Sequence, residues 1–190
     1  MNNSNTFGLL VEQLEQIPSI GRKSASKIAY TLAVENKILA LNISHCIEDA
    51  VNKICRCSIC NGISEGSICS ICSNESRLHS GILCMVSSAR DILTIEESNV
   101  FDGIYFAIEE INSIDFNKLK INISKLKVKE VLFAFTPSIA SDTMMIYIED
   151  KLQNGNLKFS KIAQGIPTGV GLDNVDKLSL TKAIESRIDM

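Results

Sequence analysis

Four cysteines spaced Cys57-x2-Cys60-x8-Cys69-x2-Cys72 constrain this chain more than any other feature. A Cys-x-x-Cys turn lets two thiolates converge on one ion, and two such turns supply the four soft ligands of a closed tetrahedral zinc site. The 16 residues from Cys57 to Cys72 carry no apolar periodicity, and Gly62, Ser64, Gly66 and Ser67 suit the turns between the pairs. Such a segment builds no core of its own, so metal binding is expected to supply its folding energy. Four thiolates leave no open coordination position, which makes the expected Zn2+ site structural rather than catalytic. An iron–sulfur cluster or a redox dithiol pair would use the same residues and is the alternative.

The remaining cysteines bring the total to seven, an odd number that fits a disulfide framework poorly. Cys55 is read as a surface or packed thiol rather than a competing ligand. Cys46 and Cys84 fall on apolar faces and are expected to be buried small hydrophobes. His79 is read as a junction residue, not a ligand. The N-terminus lacks the basic stretch and apolar run of a signal peptide. No apolar run approaches the ~18 residues that cross a bilayer. A cytoplasmic protein with reduced thiols and no membrane contact is therefore expected.

Residues 1–56 read as helical. Phe7, Leu10, Val11 and Leu14 share one face, then Ile17-Pro18-Ser19-Ile20-Gly21 breaks the pattern. A second helical pattern runs through Ala25, Ile28, Ala29, Leu32 and Ala33, and a third through Ile43, Cys46, Ile47, Ala50, Val51 and Ile54. The tight turn opens the second helix with small and basic residues. A helix N-terminus presents unpaired N–H groups, and a glycine there lets backbone approach a phosphate closely. Gly21, Arg22, Lys23 and Lys27 are therefore the candidate DNA-backbone contacts, with Lys23 and Lys27 on one face. A plain helical hairpin with solvated lysines is the alternative.

From residue 80 onward the period changes. Ile82–Val86, Ile104–Ile108, Val131–Phe135 and Leu157–Ile162 read as strands. Ala89–Ser98, Ser138–Leu152 and Asn174–Ile188 read as helices between or after them. Strands alternating with helices predict an α/β domain with a mostly parallel sheet over 80–190. The domain boundary is expected near Leu78–Gly81. The run Lys118, Lys120, Lys125, Lys127, Lys129 is read as a solvated helix or loop surface, or else as a second DNA or partner contact.

Net charge is −3 and the pI about 5.5, which excludes a protein that coats nucleic acid by bulk positive field. Residues 1–60 nevertheless sum to +1 and residues 80–190 to −3. Asp91 to Asp115 holds seven acids and no base, read as a solvated surface.

A helix-hairpin-helix over 1–56, a four-cysteine zinc finger over 57–72 and an α/β domain over 80–190, in this order, resemble the RecR recombination mediator family of bacteria. The most specific stretches are Ile17–Ala29, Cys57–Cys72 and the C-terminal pattern Ala163, Gly165, Pro167, Gly169, Leu172, Asp176, Ser179, Leu180, Ala183, Arg187. The resemblance implies a Toprim domain from about residue 80. In catalytic Toprim proteins, acids at the strand ends bind Mg2+. Here Ser87, Ser88 and Ala89 follow the first strand. After Pro137, Ala140 replaces one acid, and only Asp142 remains of the pair. The loss of two oxygen ligands argues against Mg2+ binding there. The glycine-rich loop expected after Ile108 reads Glu109-Glu110-Ile111-Asn112-Ser113, and Ser19 stands where the hairpin motif often carries its first glycine.

By resemblance, the chain is expected to be a non-enzymatic mediator of DNA repair and recombination, with no catalytic residues. It would bind single- and double-stranded DNA and act with RecO and RecF to help load RecA recombinase in a RecBC-independent pathway. Asp142 is the candidate partner contact. The family forms dimers or ring tetramers, so symmetry would multiply a few basic residues per chain. The alternatives are a zinc-stabilised interaction module without DNA binding and a catalytic Toprim enzyme.

Overall fold

The computed structural model describes residues 5–110, 112, 114–153, 157–163 and 165–187, which fall into two compact units, Met1–Ile54 and Cys55–Met190. The first unit contains α1 (Thr6–Glu15), α2 (Arg22–Tyr30) and α3 (Lys37–Lys53), with a π-helical turn Thr31–Glu35 before α3. Asn5 caps α1 by accepting from the Gly8 N–H, and Asn36 caps α3 by accepting from Leu39. Val11 of α1 packs on Ala25 and Ala29 of α2, with Leu10, Leu14 and Ile20 around them. The two alanines let the helices approach closely. The third apolar pattern does form a helix, yet α3 buries none of its residues. Ile38, Leu41, Ile47 and Val51 are each more than half exposed. Cys46, expected to be buried on that face, is exposed as well. Periodicity identified an apolar face but not whether anything covers it.

In the second unit, β1 (Cys55–Arg56) and β2 (Ile63–Ser64) pair antiparallel, and the short α4 (Glu75–Leu78) follows the cysteines. The chain then alternates through β3 (Ile82–Val86), α5 (Ala89–Ser98), β4 (Ile104–Ala107), α6 (Phe116–Lys125), β5 (Glu130–Ala134), α7 (Ile139–Leu152) and β6 (Lys158–Lys161). The four strands form one parallel sheet in the order β4-β3-β5-β6. This is the α/β architecture that the alternating pattern predicts. The sequence leaves α6 open between helix and loop. It forms because Phe116, Leu119 and Ile123 share a face and Asp115 caps its N-terminus.

Successive residues of β3 point to opposite faces. Leu83 and Met85 join Val131 and Phe133 under α6 and α7, in a core closed by Leu119, Ile123, Ile148 and Leu152. Cys84 and Val86 join Tyr105, Ala107 and Ile92 of α5 in a second core. After β6, a 3-10 turn Leu172–Asn174 and α8 (Lys177–Glu185) complete the described chain. Of the stretches named above, Met1–Ser4, Ile111, Ser113, Gln164 and Ile188 lie outside the described residues. No helix among the described residues is long and apolar enough to cross a membrane.

Candidate metal centre and nucleic-acid interface

The two Cys-x-x-Cys turns converge. One sulfur each from Cys57, Cys60, Cys69 and Cys72 lies within 4.8 Å of the others, and all four residues are buried. The Cys60 and Cys69 sulfurs are 3.6 Å apart. Backbone N–H groups point at three of them: Gly62 donates to Cys60 Sγ at 3.3 Å, Cys69 to Cys57 Sγ at 3.4 Å, and Cys72 to Cys69 Sγ at 3.5 Å. Such donors favour thiolate over thiol. The first turn is tight. Asn61 adopts a left-handed φ of 59°, and a Cβ at Gly62 would sit 3.1 Å from both Cys60 Sγ and Ile92 Cδ1.

The thiols do not titrate independently. A hydrogen bond from Cys72 holds Cys60 down to about 5, and the same bond pushes Cys72 far up. Burial is the main cause raising Cys69. Four thiolates this close require positive charge among them. The donor set fits a metal ion, and its softness is consistent with zinc.

The cluster is joined to the sheet domain, whereas the sequence reads as a separate module. Its four cysteines share a core with Cys84, Val86, Ile92, Tyr105 and Ala107. Ala107 N–H donates to the Cys60 carbonyl at 2.8 Å, and Asn61 Nδ2 donates to the Ala107 carbonyl at 3.2 Å. Arg56 donates to the Asn61 carbonyl at 3.0 Å and pairs with Glu109. Arg77 Nη2 reaches Glu96 at 2.9 Å and the Phe101 carbonyl at 2.6 Å, and Tyr105 donates to the same Glu96 oxygen at 2.6 Å. Burial, with Glu96 adjoining, pushes the Tyr105 phenol well up, so it stays a donor. These partners are 9 to 24 residues apart in sequence, and no local spacing rule announces them. Buried Cys84 is pushed up to about 12 by desolvation and is an inert core thiol. Cys55 is exposed and its thiol donates to the Gly66 carbonyl, while His79 Nδ1 bonds the Glu75 carbonyl. Neither belongs to the cluster.

The hairpin residues occupy the turn between α1 and α2 and the first turns of α2. Gly21 is the N-cap with no side chain to satisfy the helix N–H groups, and a Cβ there would meet nothing within 4 Å. Every other α-helix among the described residues has a side-chain cap. Lys23 and Lys27 lie exposed on one face of α2. Arg22 is partly engaged, 3.6 Å from Glu15. Ser19 holds a left-handed φ of 69°, the conformation that glycine adopts without cost.

Residues 8–51 match the family model described as RecR, helix-hairpin-helix. The chain is 49% identical over 187 residues to the recombination protein RecR of Helicobacter pylori (strain Shi470), covering 98% of this chain and 96% of that protein. It is 52% identical over 182 residues to the recombination protein RecR of a Nitratiruptor species, covering 96% and 95%. The Campylobacter jejuni protein of the same name (serotype O:23/36, strain 81-176) is 48% identical over 181 residues, 95% of each chain. The chain belongs to the RecR family.

In this RecR-family chain, the strand order reverses beside β3, so the crevice at the ends of β3 and β5 is where an α/β sheet places a ligand. Ser88 caps α5 and Ser138 caps α7 there. Asp91, the nearest acid after β3, is consumed by its capping box, accepting from Ser88 N–H at 2.8 Å and Ser88 Oγ at 3.0 Å. Asp142 is exposed in the first turn of α7, behind Ala140 and Ser141. Among the described residues, the four cysteines are the one group of three or more His, Cys, Asp or Glu side chains placed to hold a metal.

Proposed function

We propose that this chain is a non-enzymatic mediator of recombinational DNA repair that grips the phosphate backbone of single- and double-stranded DNA through Gly21, Arg22, Lys23 and Lys27. The observation that carries the reading is the N-terminus of α2. It is uncapped and open, and exposed Lys23 and Lys27 flank it. Family membership supports a role beside RecO and RecF in loading RecA in a RecBC-independent pathway, with exposed Asp142 as a partner contact. Cys57, Cys60, Cys69 and Cys72 are assigned one structural Zn2+. The residue set at the β3 and β5 ends supports a role without catalysis. Serines and Ala140 stand where Mg2+ chemistry needs carboxylates, and Asp142 alone remains of the acid pair, which argues against Mg2+ there. The uncovered apolar face of α3 supports a homo-oligomer, a dimer or ring tetramer. Pooling several hairpins would offset the net charge of −3 per chain.

The test is a salt-titrated DNA-binding measurement on wild type and Lys23→Glu/Lys27→Glu. Affinity is expected to fall with salt, and the variant to bind at least about tenfold more weakly. Equal binding by both proteins would remove the hairpin assignment and leave a zinc-stabilised interaction module.

A further inference from the structure

Between Asp115 and Glu130 the chain carries five lysines and no acid, although its domain is acidic overall. The structure places them on and just beyond α6. Leu119 and Ile123 turn inward, so Lys118 and Lys125, two helical turns apart, lie on the opposite, exposed face. Lys120, Lys127 and Lys129 line a recess of about 490 Å³ whose walls are Ile123, Val128, Leu152 and Leu157, with Ser124 at its edge. No acid lines this recess. Lys158, nearby in the fold, is tied to Glu130 at 3.3 Å. The five lysines make no ion pair and no side-chain hydrogen bond among the described residues. Compensation of the helix dipole accounts for Lys125, which sits in the last turn of α6. It does not account for Lys118, at the other end of the helix. Lys127 holds a left-handed φ of 50°, a position that asparagine or glycine fills at less cost.

We infer that this lysine-lined recess is a second DNA contact, one that holds the phosphate–sugar backbone of a single strand. Lys120, Lys127 and Lys129, unpaired around the recess, supply the charge. The recess is too small for a duplex but takes one phosphate with its sugar, whose apolar face suits the Ile, Val and Leu walls. No aromatic side chain lines the recess, so bases have no stacking platform and binding is to backbone. No arginine lines it either. Lysine meets a phosphate as a point charge, and the poly-glutamate arm of the test separates nucleic acid from an acidic protein. The surface lies in the second unit and stands whether or not the hairpin binds DNA.

The test uses the full-length chain carrying Lys120→Glu, Lys127→Glu and Lys129→Glu, the three lysines of the recess, none of them buried. Metal content and circular dichroism confirm its fold. Fluorescence anisotropy with oligo-dT of about 30 nucleotides is followed across a salt titration. The slope of log K against log salt is expected to fall by about 2, with affinity at least about tenfold weaker. The corresponding Lys→Arg variant should bind as wild type does. Unchanged slope and affinity in the Glu variant would overturn the inference. So would a larger loss on duplex than on oligo-dT, or poly-glutamate binding that matches oligo-dT and is lost in parallel. Lys23→Glu/Lys27→Glu is measured alongside, so failure of the hairpin reading and failure of this one are seen separately.

Discussion

The two units of this chain reach stability by different means. Residues 55–190 bury two layers of side chains on the two faces of a parallel sheet, one of them completed by four cysteines. Residues 1–54 bury only Val11, Ala25 and Ala29 among the described residues, and α3 buries nothing. A single helix pair with a three-residue core supplies little of the apolar burial that offsets chain entropy. The open α2 N-terminus and the exposed α3 face of the first unit are two sides of one fact. Residues left unburied within the monomer are free to meet other molecules.

The largest effect should come from the cysteines. Cys57→Ala, or removal of the bound metal by a chelator, is expected to destabilise the second unit by roughly 5 kcal/mol or more. Hydrogen exchange should show protection lost in β3 and β4 as well as in residues 57–72, because Cys84 and Tyr105 share that core. Full zinc occupancy in Cys57→Ala would show that another group is the ligand. Next comes the α3 face. Ile47→Asp with Val51→Asp should reduce the native mass, measured by light scattering, from a multiple of 20.8 kDa to the single chain. A monomeric wild type would break the contrast between the units.

Arg77→Ala leaves Glu96 half-buried without its cation and should cost roughly 2–3 kcal/mol by denaturant melts, again in the second unit alone. Ser19→Gly relieves a left-handed backbone and should stabilise the first unit by about 1 kcal/mol. The smallest effect concerns Glu130. Ser160, and then Lys158, hold its carboxyl below the ordinary glutamate range. Its contribution is therefore complete above that range and fades as pH falls through it. Glu130→Gln should flatten the acid limb of the stability profile slightly, with β6 the region that responds in hydrogen exchange.

The parts of this molecule that obey local periods were legible in advance. Ile82–Val86 and Ala89–Ser98 coincide with β3 and α5, and the cysteine spacing announced the cluster. Helix α6 was obscured because its three lysines match in number the three apolar residues that fix it. Cys46 is exposed where its pattern predicts burial, because an amphipathic pattern records a face without recording its cover. The Arg77–Glu96–Tyr105 bonds and the docking of Cys60 on Ala107 join residues that only the folded sheet brings together. In the hairpin, Ser19 departs from the family pattern. The structure shows that the backbone keeps the left-handed turn and Ser19 bears its strain.

Strand β3 is made first but sits inside the sheet, between β4 and β5, with Ile82 opposite Glu130. During synthesis the cysteines leave the ribosome before any strand they pack on. The sheet cannot close around β3 until residue 134 has emerged. Pairings this distant in sequence are slow to form. The order of emergence therefore gives metal capture a head start over sheet formation.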